Sequence, residues 1–262
     1  MPRLKIPAVL SAMILFPVFL HAQELDSLIQ QINRRMSAFK KDRNFECLVT
    51  SKEFKVNGDW VPEKTTTVEK KMTVDSTGAA FDILHAVEIE KGKEKDITLD
   101  LQKKMEEEKR KQEEKEDEDN KDEEKRSVSL GSKELNPFSE ENRSQYNYCL
   151  LPDTVADSTA YYRIQTIAKV PDDKRFQGVF WINKKNSVIE RIKLKPSKNP
   201  KFVKDFDLAF RFEGLDSNHW VIRQSHVRVY VSLLIKKIRI VSEETYENYR
   251  FPENREMSGN SP

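Results

Sequence analysis

Residues 178–213 read GVFWINKKNSVIERIKLKPSKNPKFVKDFDLAFRFE, followed by HWVIRQSHVRVYV at 219–231 and IRIVSEETYENYRF at 238–251. Successive side chains of a strand point to opposite faces. Phe206, Leu208, Phe210 and Phe212 therefore share one face, with Asp205, Asp207, Arg211 and Glu213 on the other. Val227, Val229, Val231, Leu233 and Ile235 repeat the rule. Together with YYRIQTIAKV at 161–170 and a Lys184-Lys185-Asn186 turn, the second half reads as an antiparallel meander.

Working back from this stretch, FECLVTSKEFKV and WVPEKTTTVEKKMTV flank Asn57-Gly58 and predict a hairpin with a tight turn. Residues 79–91, AAFDILHAVEIEK, fit either a third strand or a short helix. Leu25, Leu28, Ile29, Ile32, Met36 and Phe39 recur at helical spacing, with Gln30, Gln31, Arg34, Arg35 and Lys40 opposite them. One amphipathic helix thus opens the domain, its stripe facing the sheet. Residues 103–126 hold 12 acids and 9 bases among 24 positions, so this segment has no face to bury. It is expected to be a solvated helix, through pairs such as Glu107 with Lys111, or a disordered loop. The tail from Pro252, PENREMSGNSP, has no apolar pattern and is expected to be disordered.

The first 22 residues follow the plan of a secretory signal peptide. Arg3 and Lys5 precede an apolar run from Ile6 to Leu20, which is interrupted by Pro7 and Pro17 and falls short of the ~20 residues that span a bilayer. Cleavage near Ala22 or Gln23 would leave a mature chain outside the cytoplasm. Removing this basic leader lowers the formal net charge from +2 to 0, which gives no support to a nucleic-acid partner. In an oxidising space Cys47 and Cys149 form an even pair, and both a disulfide and two buried thiols remain open.

Catalytic and cofactor motifs are missing. The seven glycines lie at least 14 positions apart, which excludes phosphate-cradling loops. Neither a zinc motif nor a CxxC pair occurs, His219 and His226 would face opposite ways in a continuous strand, and no serine sits in a GxSxG turn. The expectation is a protein that is not an enzyme and holds no metal or cofactor. What remains is an apolar sheet face with Phe180, Ile182, Phe206, Leu208, Phe210, Phe212, Val227, Val229 and Val231 as its natural lining. An ordinary dry core under the helix would use the same residues.

Gly178, Trp181, Ile182 and Asn183, then Val188, Ile189 and Arg191, the alternating Phe206–Phe212, Trp220–Ile222, and Tyr246 with Tyr249 form an ordered series of strand signatures. In this series residues 160–251 resemble the LolA-like proteins of the bacterial envelope, the superfamily of the lipoprotein carriers and of the sigma-factor regulator RseB. The resemblance implies a mainly β fold with α elements, in which a strongly curved, unclosed antiparallel half-barrel has helices in its concavity. It further implies an apolar interior that accepts a lipid or lipoprotein acyl chain, and a location in the periplasm of a Gram-negative bacterium. The charged stretch 103–126 departs from the carriers and is a candidate docking arm for another envelope protein. The expected organisation is a leader at 1–22, one domain at 23–251 and a tail at 252–262.

Overall fold

The computed structural model describes residues 9–39, 44–75, 78–118, 136–233 and 236–252. The start of the expected leader at 1–8, the end of the charged insertion at 119–126, Ile235 and the tail beyond Pro252 lie outside the described residues.

Apolar periodicity of 3.6 places Leu28, Ile29 and Ile32 on one side of α1 (Val9–Ala38), and all three are buried. Leu25 and Met36 extend the same stripe at its margins. No helix among the described residues is long and apolar enough to cross a membrane.

From Asn44 onward, alternation and β-branched residues favour strands. Four of them, β1 (Phe45–Val56), β2 (Pro62–Asp75), β3 (Gly78–Glu90) and β4 (Lys93–Asp96), form an antiparallel meander. The ambiguous residues 79–91 are thereby nearly all in a strand. The β1–β2 hairpin forms as expected, but its turn is a five-residue loop and not a two-residue Asn-Gly turn. Asn57 Oδ1 accepts the N–H groups of Asp59 at 2.9 Å and Val61 at 3.0 Å, and Trp60 takes the positive φ of 63°. The asparagine side chain thus organises the loop by bonding nearby backbone, the mechanism of an Asx turn.

Asp96 accepts the Thr98 N–H at 2.8 Å and begins α2 (Thr98–Glu118), so the charged stretch is helical as far as it is described. A short helix α3 (Glu140–Arg143), capped by Ser139, then leads into a second meander. Its strands are β5 (Tyr146–Ala156), β6 (Thr159–Ala168), β7 (Phe176–Asn183), β8 (Ile189–Pro196), β9 (Val203–Gly214), β10 (Trp220–Ser232) and β11 (Lys237–Arg250).

Pairing of β11 with β1 fuses the two meanders into one sheet of order β4-β3-β2-β1-β11-β10-β9-β8-β7-β6-β5. All the pairings are antiparallel. The edge strands β4 and β5 do not pair with each other, so the sheet stays open, in the manner of the half-barrel that the resemblance implies.

Of the two alternatives left open for Cys47 and Cys149, the disulfide is not formed, and only one of the two free thiols is buried. Cys47 is buried on β1 and Cys149 is exposed on β5, seven steps away across the sheet. Their side chains also point to opposite faces, because Cys47 lies opposite Met72 on the core side while Cys149 lies opposite Gln165 on the other.

Candidate functional site

Cross-strand partners share a face, so register alone traces the inner face from one meander to the other. Under α1 it is a filled core. Phe180 and Ile182 are at most 1% exposed and Leu208 is 6% exposed, packed with Ile164, Ile192 and Leu194. Phe138 closes over this cluster, meeting Phe180 edge to face at 4.8 Å between centroids. Gly178 allows β7 to approach β8 here, since a Cβ at that position would lie 2.0 Å from the Lys193 carbonyl oxygen.

The other residues of the expected lining stand at the margin of this core. Phe206, Phe210, Phe212 and Val227 are partly buried against it. Val229 lies opposite Phe206 and is also half-buried, while Val231 follows a break in register after Tyr230. The structure thus divides the nine residues between a dry interior and a half-open border.

Beyond that border the face continues without α1. Phe210 lies opposite Ser225, Ser225 opposite Glu244, Glu244 opposite Ser51 and Ser51 opposite Val68. In the adjacent row Tyr246, Val49, Lys70 and Ile83 lie side by side, and Cys47, Met72 and Phe81 follow in the next. Val49 and Cys47 are buried, whereas Val68, Met72 and Ile83 are half-buried and Phe81 is 38% exposed. The far side is bounded by β3, where α2 packs and Ala86 is fully buried.

A polar island interrupts this apolar floor. Glu244 Oε1 receives Lys70 Nζ at 3.1 Å, and its Oε2 receives the hydroxyls of Ser225 and Tyr246. Burial pushes the Glu244 carboxyl up, but the Tyr246 hydroxyl, the Lys70 ammonium and Ser225 together hold it below its ordinary value. Burial raises the Cys47 thiol to about 11 against the opposing charge of Lys70, so it stays protonated and inert. The Tyr246 and Tyr249 hydroxyls are raised too, burial again being the largest cause.

The sequence reading missed this island, although β11 carries a sign of it. On one parity its residues run Ile238, Ile240, Ser242, Glu244 and Tyr246, turning from apolar to polar without leaving the face. Lys70 between Val68 and Met72 is the matching interruption in β2.

Aromatic rings gather where β1 and β10 begin and β11 ends. Phe39 stacks on Trp220 at 5.6 Å, Phe251 stacks on His219 at 3.9 Å, and Phe45 meets both Tyr249 and Phe251. His219 lies just before β10, where its ring nitrogen is 2.6 Å from Asp216. His226 points to the opposite face beside Glu243, so the two histidines are not brought together. Among the described residues no group of three or more His, Cys, Asp and Glu is placed to hold a metal ion.

That opposite face is charged. A groove of about 570 Å³ there includes Trp181, Arg191, Arg211, Gln224 and His226 in its walls. Asp157 pairs with Arg191 at 2.7 Å and Arg211 at 3.5 Å, leaving these cations already matched.

Residues 101–249 match the family described as "Family of unknown function (DUF5686)". No curated protein matches the chain. Among solved structures it is similar to a DUF1329 family protein from Desulfovibrio piger, at 12% identity and a TM-score of 0.40, over 87% of this chain and 93% of that one. It is similar to a domain from Vibrio parahaemolyticus described as outer membrane lipoprotein-sorting, at 11% identity and a TM-score of 0.37, over 87% and 94% of the two chains. A LolA superfamily protein from Nitrosomonas europaea matches at 10% identity and a TM-score of 0.31, over 86% and 92%. These likenesses transfer no function to this chain.

Proposed function

Starting from the premise that this chain belongs to DUF5686, a family of unknown function, we propose that it is an exported, non-enzymatic protein that holds a lipid or lipoprotein acyl chain against the inner face of its sheet. The observation that carries this reading is the half-buried apolar surface on both sides of a trough centred on the polar island. Phe206, Phe210, Phe212, Val227 and Val229 form one wall, with Val231 beyond them, and Val68, Met72 and Phe81 form the other. Phe180, Ile182 and Leu208 serve as the packed floor beneath the first wall.

Each methylene withdrawn from water contributes roughly 0.8 kcal/mol, so partial seating of a long acyl chain suffices for useful affinity. The three-part leader at 1–22 supports export and release of the domain at 23–251 into the periplasm of a Gram-negative cell.

Native mass spectrometry of the mature protein from an envelope fraction, followed by organic extraction, is the direct test. A stoichiometric lipid or acylated peptide is expected. Phe210→Glu should lose it while keeping the β-sheet circular dichroism of the parent, and unchanged loading in that folded variant would overturn the site.

A second reading rests on α2. Its side chains are exposed from Lys103 through Lys111, and Leu99 near its start is 69% exposed, which suits an arm that docks an envelope partner. Deleting residues 103–126 separates the readings, because a carrier keeps its lipid and an arm-dependent adaptor loses its partner.

A further inference from the structure

The polar island in the trough has one unspent group. Both oxygens of Glu244 are engaged, Oε1 by Lys70 and Oε2 by Ser225 and Tyr246. An ammonium carries three donors and no acceptor. Lys70 commits one donor to Glu244, lies 4.8 Å from the Phe81 ring centroid, and keeps a side chain that is 20% exposed.

We infer that Lys70 reads the polar end of the bound lipid and selects an acyl chain ending in an ester or amide carbonyl over one ending in a free carboxylate. The inference rests on the inner face being a lipid site. Charge complementarity favours the carbonyl. Lys70 and Glu244 together are neutral, so a carboxylate brought to Lys70 also meets the Glu244 charge, which lies 3.1 Å from the same nitrogen. A carbonyl needs only the spare N–H and brings no charge to desolvate. The apolar side chains on both sides of the island, Phe210 and Val227 against Met72 and Phe81, then receive the hydrocarbon.

Titration calorimetry of the delipidated mature protein at pH 8 tests this, with monolauroylglycerol, laurate and dodecane as probes. The wild type is expected to bind monolauroylglycerol about tenfold more tightly than laurate, a difference of ~1.4 kcal/mol. Lys70→Met alone would strand Glu244, so Lys70→Met with Glu244→Gln serves as the neutral variant. It should lose the preference for the ester while binding dodecane as before. Equal affinity for ester and carboxylate in the wild type, or a preference retained in the double variant, overturns the role of Lys70 and leaves the lipid site standing. Failure of all three probes to bind overturns both.

Discussion

Two stretches of the same sheet face end in different states. Across β6–β9, Ile164, Phe180 and Ile182 are almost completely buried beneath α1 and Phe138. Across β1–β3, Val68, Met72 and Ile83 stay half-buried and Phe81 is partly exposed. Length supplies the reason. The stripe from Leu25 to Phe39 is about 21 Å long at the rise of an α-helix. Eleven strands at their usual spacing make a sheet on the order of 48 Å wide. The apolar stripe of α1 therefore completes a core over one meander, while the other meander keeps half-buried apolar residues on the same face.

The largest test of this contrast is to truncate one aromatic on each side. Phe180→Ala should cost about 3–5 kcal/mol by leaving a cavity in a packed core. Phe81→Ala should cost less than about 1 kcal/mol because its ring already meets solvent. Urea unfolding of both variants measures the difference, and equal costs would mean that the open half is packed as tightly as the covered one.

Next in size, Gly178→Ala places a methyl against the Lys193 carbonyl and should destabilise by roughly 1–3 kcal/mol. Gly58→Ala, where a Cβ meets nothing within 4 Å, is its control in the same unfolding assay.

A smaller effect is expected from acid. Glu244 is held below its ordinary value of 4.5 in the folded protein. The unfolded chain therefore takes up its proton first as pH falls. The stabilisation is fully present above about pH 4.5 and is lost as pH drops through the lower folded value. Glu244→Gln should flatten that part of the stability profile, and thermal unfolding between pH 6 and 3 reads it. A variant as acid-sensitive as the parent would show that the island contributes nothing to the fold's pH dependence.

The mildest probe leaves stability untouched. At pH 7.5 a maleimide should label exposed Cys149 quickly and spare Cys47, whose thiol is buried and raised to about 11. Intact-mass analysis should give one label in the native protein and two after denaturation. Two native labels would mean that the floor of the trough is open at Cys47.

Much of the architecture was legible because it is local. The 3.6-residue stripe of α1 and the period-two runs of β7–β11 are written in neighbouring residues, and the burial of Leu28, Ile32 and Leu208 follows their pattern. The Asn57 loop was legible as a turn but not in its length, since the choice depends on where Val56 and Pro62 meet across the hairpin. The choice between a disulfide and two free thiols was not legible for a similar reason. Two cysteines in strand-like sequence carry no record of the seven strand steps and the change of face between them.

The expected lining was drawn from one meander because its aromatic alternation is continuous. The opposite wall at Val68, Met72 and Phe81 lies in strands whose sequence mixes Thr and Lys with apolar residues. Only register identifies which of them share the face. The same holds for the island, where Lys70 and Glu244 stand 174 positions apart in the chain.

By itself, then, the sequence determined the elements, their alternating faces, the helical stripe and the strand series that resembles the LolA-like proteins, because each is a repeat within a few residues. Tertiary structure alone decided that β1 pairs with β11, that α1 covers one meander and not the other, and that Lys70, Ser225, Glu244 and Tyr246 converge. Those outcomes depend on long-range pairing and on where α1 docks on the sheet, neither of which any local pattern encodes.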